Sequence, residues 1–280
     1  MPQVNWLLES DRFDENLDRL KQSIEKSGSK YKTFDYIPFY DKQCESITSL
    51  FPESEPVVFY GSLNAANRIR KHAKWIPGVY CDLAQFECFN YYNHFGEFLL
   101  NSDYVMLSLG ELERQHSYLY SLLNTDKLFI RPSSGFKTFD GSVVAEKYFY
   151  DFLKRATFYE NNLKDIIVIS AAKDIVEEWR LIIVDNTVVS ASQYKNEGMV
   201  KIKEGCPTEV IDFTNRIAKK WCPESAYTMD ICRRKDGPLR LIEINSFSCS
   251  GLYLAPTDPI VDAVHTAALR EWLDFNYKGE

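Results

Sequence analysis

The sequence predicts a protein of mixed class, with a small α/β domain followed by a longer α+β region. Strand and helix patterns alternate over residues 1–100, which is typical of a sheet with largely parallel strands. From Lys127 onward, long strands occur in pairs separated by short turns, as in antiparallel hairpins. We therefore expect one domain over residues 1–110 and a second over residues 111–280.

Composition indicates a folded globular protein without a broad nucleic-acid surface. The chain has 280 residues, long enough to bury a full core, and its aromatic content is 14%. It has 33 basic and 40 acidic residues, a net charge of −7. Binding along a phosphate backbone needs a basic surface, so this balance argues against a nucleic-acid partner.

Nothing in the sequence predicts a membrane partner. Residues 1–11 lack the basic start of a signal peptide, and no stretch reaches the roughly 18 apolar residues that span a bilayer. The seven cysteines form no Cys-x-x-Cys pair, which favours reduced thiols over a disulfide framework or a zinc site. We expect a cytoplasmic protein.

Hydrophobic spacing predicts the elements of the first domain. One helix has Leu17, Leu20 and Ile24 on a single face and ends at Gly28. In chain order, the predicted elements are a strand at Val4–Leu8, a helix at Asp14–Ser27, a strand at Val57–Tyr60, a helix containing Ile69, a strand at Val79–Cys81 and a helix at Glu87–Leu100.

The second domain is predicted to contain hairpins and a few helices. Pro132 ends its first strand, and a loop of small residues follows at 133–141. In chain order, we expect a linking helix at Leu109–Leu123, strands at Leu128–Pro132 and Ser142–Ala145, a helix at about 147–160, strands at Ile166–Ser170, Trp179–Asp185 and Thr187–Lys195, a helix from Pro207 to Trp221, a hairpin about Asp236-Gly237 and a helix at Pro259–Phe275.

The hairpin about Asp236-Gly237 carries a candidate metal site. Asp-Gly is a strong turn signal, and Pro238 favours a four-residue loop because it cannot donate to a strand ladder. This turn places Asp230 opposite Glu243, with Asn245 on the same face. Facing carboxylates repel, and an oxygen-only set suits magnesium bound with phosphates. The alternative is a row of solvent-facing polar residues.

Four cations are candidates for holding a polyphosphate. A two-residue turn at Asp185-Asn186 would place Arg180 opposite Ala191 and on the same face as Lys195. Arg131 ends an apolar strand, and Lys137 lies in the loop just after it. Arginine supplies forked donors and lysine a compact charge, which together suit phosphate oxygens. The alternative is that these are ordinary surface cations.

Common nucleotide and hydrolase motifs are absent from the sequence. It contains neither a P-loop nor a Gly-x-Gly-x-x-Gly fingerprint, and no protein-kinase set of motifs. No arrangement of residues suggests a hydrolytic triad. Any phosphate chemistry therefore has to rely on strand-borne charges rather than on a glycine-rich cradle.

The order of these motifs resembles the ATP-grasp superfamily over roughly residues 125–265. Three segments are similar to a bacterial and phage clade of it that is named for two arginines and a lysine: Arg131-Pro132-Ser133-Ser134-Gly135-Phe136-Lys137, Glu178-Trp179-Arg180 and Glu243-Ile244-Asn245-Ser246-Phe247-Ser248. The resemblance implies an ATP-grasp fold, in which two α+β subdomains clamp ATP. These would span about 125–165 and 166–280, preceded by a pre-grasp α/β domain.

The resemblance also implies ligands for particular residues. Two magnesium ions would lie on Asp230, Glu243 and Asn245. Adenine would lie against the backbone of 170–172, and Arg180 and Lys195 would be catalytic. The implied cofactor-binding residues are Arg131, Lys137, Ser170, Ala171, Ala172, Arg180 and Lys195.

The activity that the resemblance implies is magnesium- and ATP-dependent ligation of a carboxylate to an amine through an acylphosphate. The substrates would be small-molecule or peptide acids and amines. Two alternatives remain open. One is an ATP-grasp phosphotransferase or a nucleic-acid-modifying enzyme, and the other is a nucleotide-binding module without catalysis.

Two short segments are candidate substrate contacts. Gly61 and Ser62 lie between a strand and a helix, where backbone N–H groups could bind a carboxylate, or they form an ordinary turn. Ser246 and Ser248 directly follow the predicted metal strand. They could line the acceptor pocket or simply pack tightly.

Overall fold

The structure is a computed structural model, and it describes residues 2–10, 14–37, 43–136, 138–158 and 163–277. In these residues the strands are β1 (Asn5–Glu9), β2 (Tyr31–Phe34), β3 (Val57–Tyr60), β4 (Pro77–Gly78), β5 (Val105–Ser108), β6 (Lys127–Pro132), β7 (Ser142–Ala145), β8 (Ile166–Ala171), β9 (Ile175–Val184), β10 (Thr187–Asn196), β11 (Met199–Glu204), β12 (Ala226–Arg234) and β13 (Leu239–Ser246).

The α-helices in the same part of the chain are α1 (Asp14–Lys26), α2 (Gln43–Thr48), α3 (Leu63–His72), α4 (Cys88–Phe95), α5 (Leu112–Leu122), α6 (Phe149–Ala156), α7 (Thr208–Ala218) and α8 (Asp258–Tyr277). Short 3-10 turns lie at Gly96–Phe98, Leu109–Glu111 and Glu146–Tyr148. None of the helices described is long and apolar enough to cross a membrane.

The chain packs into two compact units. The first unit comprises Met1–Asp82, Glu177–Ile231 and Glu243–Glu280, and the second comprises Leu83–Val176 and Cys232–Ile242. These units do not follow the predicted boundary at residue 110, because the N-terminal segment packs with later parts of the chain. The predicted domain assignment itself stays a prediction.

A parallel sheet lies in the first unit, as the alternation of strands and helices predicts. Its order is β2-β1-β3-β4, and every pairing is parallel. All residues of β1 and β3 are buried, which explains their continuous apolar runs. Trp6 and Val58 pack in one core with Leu20 of α1 and Val264 of α8.

The sheet that carries the charged hairpins has the order β11-β10-β9-β12-β13. Asp185 and Asn186 both have positive φ (49° and 60°), so the two-residue turn that their identity predicts is present. Four residues separate β12 from β13, and Gly237 lies at φ 105°, which confirms the predicted loop length.

The second unit contains an antiparallel sheet of order β5-β8-β6-β7. Its core combines Leu128 and Ile130 of β6 and Ile169 of β8 with Leu119 of α5 and Phe149 of α6. This sheet positions Arg131 and the segment that follows β8.

Several sequence predictions need correction. Val79–Cys81 is not a strand, because the parallel pairing with β3 ends at β4. The helix predicted over Glu87–Leu100 is broken at Gly96, whose φ of 45° is left-handed. The predicted end of the 147–160 helix lies outside the described residues at 159–160. Strands β2, β5 and β11 and helix α2 were not predicted.

Candidate functional site

A buried ion pair lies at the centre of the charged sheet. Nε and Nη2 of Arg180 in β9 donate to the two carboxylate oxygens of Asp230 in β12, each at 2.8 Å. The side chains are only 11% and 4% exposed. Nη1 of Arg180 donates to the carbonyl of Gly251 at 3.1 Å. The guanidinium is therefore fixed in position by three hydrogen bonds to two segments of the chain.

Electrostatics keep Arg180 charged despite its burial. Burial disfavours the cation, but the carboxylate of Asp230 outweighs it and holds the pKa of Arg180 above its ordinary value. The guanidinium also lies over the ring of Tyr253, 5.2 Å from its centroid. Burial raises the pKa of the Tyr253 hydroxyl, so the ring beneath Arg180 stays neutral.

The hairpin strands carry the three predicted metal ligands on one sheet. The hydroxyl of Thr228 in β12 donates to the carbonyl of Asn245 in β13 at 3.4 Å. The pairing of Asp230 with Glu243 stays a prediction, but both carboxylates act on the guanidinium of Arg180. Glu243 lies within electrostatic range of Arg180, whose pKa it helps to raise.

The donor set fits a magnesium ion. Nδ2 of Asn245 donates to Oε1 of Glu243 at 3.0 Å, so the amide oxygen remains as its ligand atom. Asp230 keeps lone pairs on both oxygens after accepting from Arg180. No cluster of three or more His, Cys, Asp or Glu side chains that could hold a metal occurs among the described residues, so Asn245 would have to complete the set.

Lys195 lies on the same sheet as Arg180, but the register between strands β9 and β10 differs from the predicted one. Arg180 pairs with Ser192 rather than Ala191, because the ladder between β9 and β10 shifts between Val188 and Ser190. A second shift places Lys195 opposite Glu178. Glu178 is two residues from Arg180 in β9, so Lys195 still shares the face of Arg180.

Glu178 and Tyr194 hold Lys195 in place. The ammonium of Lys195 lies 3.4 Å from Oε1 of Glu178, whose Oε2 accepts a hydrogen bond from the hydroxyl of Tyr194 at 2.7 Å. The ring of Tyr194 stacks on that of Tyr253, with centroids 5.0 Å apart and planes at 12°. The two cations are thus linked through one aromatic pair.

The remaining cofactor-binding candidates that the structure describes lie in the second unit. Arg131 is 8% exposed, and its Nε donates to the carbonyl of Pro132 at 3.3 Å. Ser170 is fully buried, and its hydroxyl donates to the side-chain carbonyl of Asn101 at 2.9 Å. Lys137 lies outside the described residues. The roles of these residues as ATP contacts stay predictions.

The backbone expected to meet adenine already has internal partners at two points. The N–H of Ala172 donates to the carbonyl of Lys127 at 2.9 Å. The carbonyl of Ala171 accepts from the ammonium of Lys173, also at 2.9 Å. Adenine contacts in this segment would therefore have to use other backbone groups or displace Lys173.

The candidate carboxylate site at Gly61 and Ser62 is occupied by the protein itself. The N–H of Ser62 donates to Oε2 of Glu9 at 2.5 Å, and the N–H of Gly61 donates to the carbonyl of Ser248 at 2.9 Å. The hydroxyl of Ser62 caps α3 by accepting from the N–H of Ala65. These contacts favour the alternative of an ordinary structural turn, and a role in substrate binding stays a prediction.

The loop that follows β13 is tightly packed. Ser248 is fully buried, and its hydroxyl accepts from the N–H of Tyr80 at 3.0 Å. Phe247 packs against the rings of Trp6, Tyr60 and Tyr80. Ser246 is 7% exposed. Burial therefore favours packing over an open acceptor pocket at both serines, and their role in substrate binding stays a prediction.

Sequence reasoning missed the side chains that surround the ion pair. Glu178 belonged to a recognised motif without an assigned role, and Tyr194 sits within a predicted strand. Tyr253 has a left-handed φ of 52°, and no turn motif in the neighbouring sequence predicts this conformation. A cluster of two tyrosines and a glutamate near two cations was not readable as a pattern, since its members are up to 75 residues apart.

Fold and site together define a member of the ATP-grasp class. Residues 72–266 match the family model of an ATP-grasp domain, family 3 of the clade named for two arginines and a lysine. This match covers more than half of the chain, so the chain belongs to that family. No curated protein matches the sequence significantly.

Several solved structures share the fold at low identity. D-cycloserine synthetase DcsG is 12% identical, with a TM-score of 0.64 over 94% of this chain and 99% of that chain. The D-alanine--D-alanine ligase from Bacillus anthracis complexed with ATP is 10% identical, with a TM-score of 0.66 over 98% and 99%. ATP-grasp ligase PsnB, complexed with minimal precursor, Mg and ADP, is 15% identical, with a TM-score of 0.58 over 95% and 98%. At these identities the likeness concerns the fold alone.

Proposed function

We propose that this protein is a magnesium- and ATP-dependent ligase that joins a carboxylate to an amine through an acylphosphate. The observation that carries the proposal is the buried Arg180–Asp230 pair, which lies on one sheet with Glu243, Asn245 and Lys195. It supports the proposal because it combines oxygen ligands with fixed cations in a chain of the ATP-grasp family.

Arg180 is proposed to stabilise charge on the transferring phosphoryl group. A guanidinium has five N–H donors, and three of them bind Asp230 and Gly251. Two donors therefore remain for phosphate oxygens. Because Asp230 fixes the guanidinium group, Arg180 would not need to reorganise as charge develops on the transferring phosphoryl group.

Glu243, Asn245 and Asp230 are the proposed magnesium ligands. Bound there, magnesium would offset the negative charge of the phosphates. Lys195 is the proposed second cation, and its contact with Glu178 keeps its side chain near the sheet. No side-chain nucleophile is needed, because the substrate carboxylate would attack the phosphorus and the amine would then displace phosphate.

The named relatives guide the choice of substrates. One similar structure is a D-alanine--D-alanine ligase, and another is the ATP-grasp ligase PsnB complexed with a precursor peptide. We infer that this protein acts on a small-molecule or peptide acid and amine, with ATP as co-substrate. A phosphotransferase and a non-catalytic nucleotide-binding module are the alternatives, and product analysis separates all three.

The test uses the full chain with magnesium-ATP and pools of acids and amines. ADP, phosphate and a new amide in equal amounts would support the ligase. A phosphorylated acceptor without free phosphate would instead indicate a phosphotransferase. A thermal shift with magnesium-ATP but no turnover on any pool would indicate the binding module.

Glu243→Gln tests the site itself. It keeps the side-chain shape but removes a charge, so we expect turnover to fall by about 100-fold with little change in thermal stability. The matched control is Glu204→Gln on the exposed edge strand β11, which should retain full turnover. Full activity of Glu243→Gln would contradict the assignment.

A further inference from the structure

The first unit contains a cavity that the proposed ATP chemistry does not use. Its volume is about 370 Å³, within the range of small-molecule sites. The walls come from the end of α3, from β4 and the residues beside it, from the segment before β12 and from α8. Its apolar lining includes Ile69, Ala73, Trp75 and Val79.

The carboxyl groups of this cavity are acceptors for a cationic head group. Glu224 and Glu271 are the two acidic lining residues, and Arg70 is the basic one. Arg70 is also shared outside the lining, since its Nη2 bonds the carboxylate of Asp82 at 3.0 Å. The cavity therefore has an excess of carboxyl groups over cations.

Glu224 has one carboxylate oxygen in use and one without a partner. Oε1 accepts from the N–H of Asp82 at 3.0 Å and lies 3.5 Å from Nη1 of Arg70. Oε2 is buried and has no hydrogen-bond partner among the described residues. A buried oxygen without a partner costs free energy, which a ligand donor would recover.

Glu271 provides a second acceptor on the facing helix. Its Oε1 accepts from the hydroxyl of Tyr80 at 3.3 Å. The other groups that act on these two carboxyls are Cys81, Asp82 and Arg70 for Glu224, and Ser225, Arg270 and Asp185 for Glu271.

We propose that this cavity binds a small primary alkylammonium ligand, whose cationic head pairs with Glu224 and Glu271 and whose carbon chain packs on the apolar wall. The site is distinct from the Arg180–Asp230 pair, and the proposal does not depend on the ligase activity. Ammonium supplies three donors, enough to serve both carboxylates at once.

Binding is coupled to loss of a proton. Burial raises the pKa of Glu224 to about 9, so this carboxyl is protonated in the free protein near neutral pH. Pairing with an ammonium head requires the carboxylate. The proton therefore leaves Glu224 for the buffer when the ligand binds, and no other bond changes.

The experiment is a calorimetric titration of the full chain at pH 7.5 with n-butylammonium, n-butanol and butyrate. We expect n-butylammonium to bind and the other two not to. Titration in two buffers of different ionisation enthalpy should show release of up to one proton. Equal binding of n-butanol would overturn the proposal.

Two variants and a control complete the test. Glu224→Gln keeps the acceptor for the N–H of Asp82, so it should fold, bind at least 10-fold more weakly and release no proton. Ala73→Leu fills the cavity from its wall and should abolish binding while the protein remains folded. Glu204→Gln should bind like the wild type. Unchanged binding by Glu224→Gln would overturn the proposal, as would binding of lysine-containing peptides but not of free n-butylammonium.

Discussion

At the scale of single residues, Arg180 and Asp230 act as one unit. The side chain of each is almost fully buried, and Asp230 is the main charged partner of Arg180. Taking two charges out of water is costly, so such a pair often adds little net stability. Removing only one member is different, because it leaves an uncompensated charge in the interior. The main effect of the pair is that Asp230 holds the guanidinium of Arg180 in a fixed position.

Replacing Arg180 alone should therefore destabilise the protein. Arg180→Met leaves the Asp230 carboxylate buried without its counter-ion, and we expect a loss of about 3–5 kcal/mol in the free energy of unfolding. Urea denaturation monitored by fluorescence measures this.

The double variant Arg180→Met with Asp230→Leu separates stability from activity. It should regain most of the lost stability, because no buried charge is left, yet it should show no ATP turnover. A double variant as unstable as Arg180→Met would contradict this account of the pair. Glu243 is the better residue for testing catalysis, since it is less buried than Asp230.

The residues around the pair show where sequence reasoning stops. The β12–β13 hairpin and the length of its loop were predictable, because Asp-Gly marks the turn. The partner of Arg180 was not predictable from the sequence, since Asp230 is 50 residues away and no local pattern links the two residues. A ladder shift between Val188 and Ser190 also changed the neighbour of Arg180 from Ala191 to Ser192.

At the scale of elements, the junction between β3 and α3 depends on a close approach of backbone and side chain. Glu9 at the end of β1 reaches the start of α3, where it accepts from Ser62. A negative charge at a helix N-terminus is favourable. Only glycine fits at position 61, because a Cβ there would lie 2.5 Å from Cβ of Glu9 and 2.8 Å from Cζ of Phe59.

Gly61→Ala should consequently destabilise the first unit. The added methyl group overlaps atoms of Glu9 and Phe59 that cannot move freely, and we expect a loss of about 1–3 kcal/mol. The control is Gly135→Ala, where the new Cβ would meet only Cδ2 of Leu83, at 3.7 Å. Thermal unfolding of both variants checks this, and equal midpoints would contradict the predicted clash.

Element types were largely predictable, and the exceptions have identifiable causes. Strands with continuous apolar runs, such as β1 and β3, were readable because they are buried on both faces. Strand β11 was not predictable, since all of its residues are exposed and its sequence mixes lysine with apolar residues. As an edge strand, it is held by pairing with β10 rather than by a core.

At the scale of the whole molecule, buried carboxyls make stability depend on pH. Glu224 has its pKa raised by burial from 4.5 to about 9. The folded state thus binds a proton more tightly than the unfolded state. The stability that this group contributes is fully present below about pH 4.5 and is lost progressively as the pH rises to about 9.

Glu224→Gln should therefore be more stable than the wild type at alkaline pH. Glutamine cannot lose a proton, so the difference in free energy of unfolding should widen in favour of the variant from about pH 5 to about pH 9. Urea denaturation across this range measures it, with Glu204→Gln as the control expected to follow the wild type. A difference that stays constant over this range would show that Glu224 is already ionised in the folded protein.

The sequence by itself determined the class of fold, the order of its main strands and helices, the hairpin about Asp236-Gly237 and the membership of the ATP-grasp family. These depend on hydrophobic periodicity, turn residues and motif order, which are local in the chain. Only the tertiary structure decided that Asp230 holds Arg180, that Glu9 meets Ser62 and that Glu224 faces a cavity. The first two contacts join residues at least 50 positions apart in the chain. Glu224 has a buried oxygen without a partner, and the cavity beside it is lined by several separate segments. Packing therefore specifies these features, and local sequence patterns do not.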